Sequence, residues 1–129
     1  MTENVINILK ANPWSVATTN DEEVNVVPVG FKNVTPDGKL IIGDIMMDTT
    51  IKNIQANGKV SISAFDPKSS EGYQVKGTAE YQTEGPVLEK LNETAKKIFP
   101  YPVVVKGAVV ITPAKVIVTT PGPDNKKEI

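Results

Sequence analysis

The chain contains no cysteine and no histidine. Disulfides, thiol nucleophiles, the common Cys/His zinc sites and imidazole acid–base catalysis are therefore excluded. Arginine is missing too. All 14 basic residues are lysine, so no bidentate guanidinium clamp on phosphate or carboxylate can form. Nor does either sign of charge dominate: 14 basic residues stand against 15 acidic ones, which creates no general field for nucleic acid or an anionic membrane. No run approaches the roughly 20 apolar residues of a membrane-spanning helix. The opening MTENVINILKANPW has neither the basic start nor the apolar stretch of a signal peptide. The expectation is a cytoplasmic protein with no metal, no nucleic acid and no membrane among its partners. Any chemistry it performs calls for a cofactor.

What is present fits one domain, residues 1–129, with ordinary apolar (40%) and charged (22%) fractions and a Pro/Gly/charged tail at about 121–129 expected to be loose. Val5, Ile6, Ile8 and Leu9 form a helical stripe within residues 3–11, preceded by Thr2 as N-cap. Residues 14–19 read as a first strand, and Val24 to Val34 as a second, longer one with Pro28 and Gly30 inside it. Thr35-Pro36-Asp37-Gly38 is a hairpin signal, and Lys39 to Gly43 returns as the third strand. Residues 49–56 read as a helix closed by Asn57-Gly58. Val60 to Phe65 alternates, with Val60, Ile62 and Ala64 on one face and Ser61 and Ser63 on the other. Tyr73 to Tyr81 is a strand interrupted at Gly77. Gly85-Pro86 then opens a helix whose stripe is Val87, Leu91, Ala95 and Ile98. Val103 to Ile111 and Lys115 to Thr119 read as two final strands separated by Thr112-Pro113. The sum is a mainly β (α+β) chain, an antiparallel barrel of six to seven strands with short helices.

Two stretches admit two readings each. Pro28 cannot donate to a ladder and Gly30 removes a side chain, which marks either a sharp barrel corner or a place where a ligand approaches the backbone. In IMMDTTIKNI, residues 45–54, Asp48 is an N-cap and the methionines fill core gaps, or the helix start is an anion site. The second reading rests on free amides and a positive dipole end, joined by the hydroxyls of Thr49 and Thr50 and the ammonium of Lys52.

VNVVPVGFKNVTPDGKLIIGDIMMDTTIKNIQANGKVSISAF resembles the core of the pyridoxamine 5′-phosphate oxidase-like FMN-binding split-barrel family. The run Asn53-Ile-Gln-Ala-Asn57-Gly-Lys-Val60-Ser61 is similar to the family's N-x-x-x-N-x-x-V-s, and Gly72 to Tyr81 to its v-x-G-x-A-x strand. Gly85-Pro86 and residues 109–123 continue the likeness, which spans about residues 3–123. The resemblance implies a split β-barrel that binds FMN at a homodimer interface. Pro28, Val29 and Gly30 would lie along the flavin and its ribityl chain. Gly43, Asp44, Ile45, Met46 and Met47 would border the ring. Thr49 and Thr50 would hold the phosphate, with Lys52 and Asn53 in support. Trp14 or the segment 119–121 would close the partner's site. On this footing both ambiguous stretches turn toward a ligand.

The chain departs from the family in offering no arginine to the phosphate, so Lys32, Lys52 or backbone amides would have to replace it. The family's namesake activity is not expected, because the chain is short and has neither arginine nor histidine for a substrate phosphate. The expected function is a small oxidoreductase or electron carrier, with a redox partner or small-molecule substrate. The alternatives are a relative using F420 or another ligand, or a non-enzymatic binding module.

Overall fold

Thr2 Oγ1 accepts the Val5 N–H at 3.3 Å, and this cap starts the first helix, α1 (Glu3–Ala11). Val5, Ile8 and Leu9 on its apolar side are buried. The computed structural model describes all 129 residues and continues with β1 (Trp14–Thr19), β2 (Val24–Val29), β3 (Lys32–Val34) and β4 (Leu40–Asp44). There follow α2 (Thr49–Asn57), β5 (Lys59–Phe65), β6 (Gly72–Gln82), α3 (Pro86–Ile98) and β7 (Gly107–Val118). No helix is long and apolar enough to cross a membrane.

The seven strands form one antiparallel sheet in the order β2-β1-β5-β6-β7-β4-β3, curled as a split β-barrel. β2 and β3 follow each other in the chain yet stand at opposite edges of that sheet. The long second strand expected over 24–34 is therefore two strands, because the chain turns the barrel's corner at Gly30-Phe31. Pro28 sits on an edge strand, where its missing N–H deprives no second neighbour.

A second correction concerns β7. Residues 103–106 lie outside any strand, and 107–118 run as one strand through Pro113 rather than two. A bulge absorbs the proline: Gly77 pairs with Pro113 while Lys76 pairs with Lys115, so Ala114 is the extra residue. β4 reaches only to Ile111 on the other side, so Pro113 breaks no second ladder.

The main core joins the inward faces of the strands to α1 and α2. A smaller cluster packs Leu91 and Ala95 of α3 against Ile41, Val105 and Ala108. β4 is thus buried on both faces, with Leu40 and Ile42 toward the main core and Ile41 toward α3, which makes it a rigid platform. Ile98, expected in the α3 stripe, is 57% exposed; Leu88 and, past the helix end, Phe99 pack beside the expected Val87 instead. Trp14 is only 1% exposed and donates its indole N–H to Leu9 O at 2.8 Å, so it cannot close a partner's site. The tail, expected to be loose, folds back on β7: Lys126 N–H meets Val118 O at 2.7 Å and Ile129 N–H meets Val116 O at 2.8 Å. Those bonds use the edge of β7 that β4 leaves uncovered.

Candidate functional site

Asp48 occupies the N-cap position of α2, but its carboxylate accepts no amide of the first turn. Its Oδ1 lies 3.2 Å from Lys52 Nζ instead, with both side chains exposed. The helical ladder begins with Lys52 N–H donating to Asp48 O at 3.1 Å, which leaves the amides of Thr49, Thr50 and Ile51 without an intrahelical acceptor. The donor end of the helix is free for an anion.

That end opens into a cleft of about 510 Å³. Its walls come from β2 (Asn25, Val27, Pro28, Val29), the Gly30-Phe31 corner, Gly43, and residues 45–50. Nine of the residues singled out from the sequence meet there: Pro28, Val29, Gly30, Gly43, Ile45, Met46, Met47, Thr49 and Thr50. Met46 is almost wholly exposed, while Met47 packs against the main core. Gly43 is flush with the wall, and the space a Cβ would take there is filled by the ring of Phe31. Phe31 in turn meets Phe99 edge-on at 5.5 Å.

Asp44, Lys52 and Asn53 do not line the cleft. Asp44 is 2% exposed and bound on the inward face of β4. Asn53 is buried in a network of its own, donating to Thr18 Oγ1 at 3.0 Å and accepting from Asn20 Nδ2 at 3.2 Å. Lys32 caps α1, its ammonium donating to Leu9 O at 2.8 Å and Lys10 O at 2.9 Å above the Trp14 ring. Burial there holds its pKa below the usual lysine value. No lysine lines the cleft, so amides and hydroxyls are its only donors to an anion.

Sequence reasoning missed Asn25, Val27 and Phe31 as cleft residues. Asn25, Val27 and Val29 alternate along β2, and that period of two was the available signal. Asn25 Nδ2 donates to Thr50 Oγ1 at 3.1 Å and so ties the β2 wall to the helix start. A larger hollow of about 730 Å³ lies between the N-terminus, Ser69 to Tyr73 and the tail. Only 3 of its 13 lining residues are hydrophobic, and it lacks the apolar wall a planar ring requires.

A curled split barrel with a cleft at the start of its short second helix is the arrangement that comparison with known proteins then places. A profile described as "Pyridoxamine 5'-phosphate oxidase" matches residues 1–122. The chain belongs to the pyridoxamine 5′-phosphate oxidase family. An uncharacterised protein of Methanocaldococcus jannaschii is 35% identical over 132 residues, covering 100% of this chain and 87% of that one. Among solved members of the fold, HupZ of Group A Streptococcus superposes with a TM-score of 0.85 at 26% identity, covering 96% of this chain and 98% of that one. An FMN-binding protein of Syntrophomonas wolfei gives 0.81 at 18% identity, covering 94% and 87% respectively. An F420 reductase gives 0.67 at 20% identity, covering 90% and 98%. At those last two identities the likeness is one of fold.

Proposed function

We propose that this family member is an FMN-binding flavoprotein, a small oxidoreductase or electron carrier, that holds its cofactor at a homodimer interface. One observation carries the reading: apolar side chains of Val29, Ile45, Met46 and Met47 meet, in one cleft, a helix start whose amides have no intrahelical acceptor. A planar ring needs the first and a phosphate the second. The cleft's volume falls within the roughly 300–1,000 Å³ of cofactor sites.

When bound, FMN supplies the hydride or electron transfer, and the chain supplies position and surroundings. Thr50 Oγ1 accepts from Asn25, which leaves the Thr50 hydroxyl hydrogen free to donate. Thr49 adds a second hydroxyl one residue earlier on the same wall. Asp48 is the one carboxylate in the lining, and Lys52 partly offsets it. The affinity expected is therefore modest. F420 is the other ring ligand that the fold neighbours raise; a cleft without lysine favours FMN over a long anionic tail.

A second copy suits the exposed edge of the sheet. Val24 and Val26 on β2 are 75% and 63% exposed, and their strip runs through Pro28 to the cleft. An apolar edge strand of this kind calls for cover, and a partner seated on it would shield the cleft from water. Titration of purified protein with FMN, read by flavin fluorescence, tests the reading. Saturable binding in the micromolar range is expected, weakened about tenfold in the Thr49→Ala, Thr50→Ala double variant. Absence of saturable binding rejects it.

A further inference from the structure

Asp44 ends β4 on the face that buries Leu40 and Ile42, a position where a hydrophobic side chain would serve packing better than a carboxylate. Its Oδ2 accepts the Tyr81 hydroxyl at 2.6 Å, and its Oδ1 accepts the Met47 N–H at 2.9 Å. Tyr81 reaches it from β6 across β7. The phenol ring fills the space beside Gly107, the residue paired with Asp44, where any side chain would collide with it. Three strands thus converge on one carboxylate, and the group it grips is a backbone amide of the turn between β4 and α2.

That turn supplies much of the apolar lining of the cleft. Met46 and Met47 line it while Asp44 does not. No peptide bond in the chain is cis, so the Met46 carbonyl points opposite to the Met47 N–H, away from Asp44. A leucine at 44 would bury well but would leave this peptide free to turn over. Resting on the FMN reading above, we propose that Tyr81 and Asp44 are positioning residues that hold the Met46–Met47 peptide with its carbonyl on the cleft side. There it accepts a ring N–H, so the site selects a planar ligand with an imide-type donor.

The test compares FMN with FMN methylated at the imide nitrogen, on the full chain and its Asp44→Asn, Asp44→Ala and Tyr81→Phe variants. Asparagine keeps both bonds, its oxygen accepting from Met47 and its amide donating to the phenol oxygen. The wild type and Asp44→Asn are expected to prefer unmethylated FMN by about tenfold, the worth of one hydrogen bond. In Asp44→Ala that preference should fall to about one. A second readout needs no ligand: exchange of the Met47 amide hydrogen should be slow in the wild type and Asp44→Asn and at least about tenfold faster in Asp44→Ala. Equal preference in wild type and Asp44→Ala overturns the proposal, as does unchanged Met47 exchange. A wild type that binds no FMN defeats the functional reading, and the exchange experiment then decides the positioning role alone. Should Asp44→Ala not fold, Tyr81→Phe replaces it, with a smaller change in the same direction expected and no change contradicting the idea.

Discussion

Lys52 Nζ lies 3.2 Å from Asp48 Oδ1, one turn apart at the start of α2, with both side chains open to solvent. The pair explains how a carboxylate can stand among the donors of the proposed anion site. Asp48 takes no first-turn amide, so its charge opposes a phosphate without competing for the N–H groups that would bind it.

Removing that charge should help. Asp48→Asn is expected to bind FMN several-fold more tightly, with the gain largest at low ionic strength because exposed charges are screened by salt. Stability should change little, since exposed pairs of this spacing contribute little. Titrations at two salt concentrations check both points. Weaker binding in Asp48→Asn would mean that Asp48 supports the ligand rather than opposing it.

Asn53 should behave in the opposite way. Itself buried, it links the buried Thr18 to the exposed Asn20 and stays out of the cleft lining. Asn53→Leu should lower stability by about 1–3 kcal/mol, the usual effect of leaving buried polar partners unpaired. FMN affinity measured well below the melting temperature should not move. Denaturant melts and FMN titrations on the same preparation separate the two effects.

Much of this was legible in the chain itself. The α1 stripe behind Thr2, the hairpin turn at 35–38 and the serine-faced alternation of β5 rest on local patterns, and each formed where those patterns lie. The cleft proposed as the site could be anticipated for a similar reason: two short segments, 28–30 and 43–50, supply most of its wall. What failed was whatever depends on residues far apart. A strand that turns a corner at Gly30-Phe31 has the same apolar composition as one that runs straight. Pro113 reads as a stop until the bulge opposite Gly77 is seen to absorb it. Lys32 looked free for a phosphate, but its partners are the last carbonyls of α1, more than 20 residues earlier. Asp44 and Tyr81, 37 residues apart, carry no periodic signal of their meeting.

Alkaline titration gives an independent check on the two phenols that donate to carboxylates. Burial, then a hydrogen bond to a neighbouring carboxylate and its charge, pushes both Tyr73 (beside Glu71) and Tyr81 (beside Asp44) up to about 12. Between pH 10 and 12 the folded chain therefore keeps phenolic protons that the unfolded chain has lost. The stability they contribute is fully present below pH 10 and is lost as pH rises through 12. Absorbance at the phenolate band should show Tyr73 and Tyr81 ionising late, and Tyr81→Phe should remove one of those late steps. Ionisation of both near the ordinary value of about 10 would contradict the hydrogen bonds to Glu71 and Asp44.

The central claim is that unpaired amides and two hydroxyls hold a phosphate without help from a cation in the same cleft. Comparing FMN with riboflavin, which has the same ring but no phosphate, tests it most directly. Affinity for FMN should exceed that for riboflavin by about tenfold or more, as charge-assisted hydrogen bonds at a helix start imply. Equal affinity for the two, or no saturable binding of either, would contradict the account.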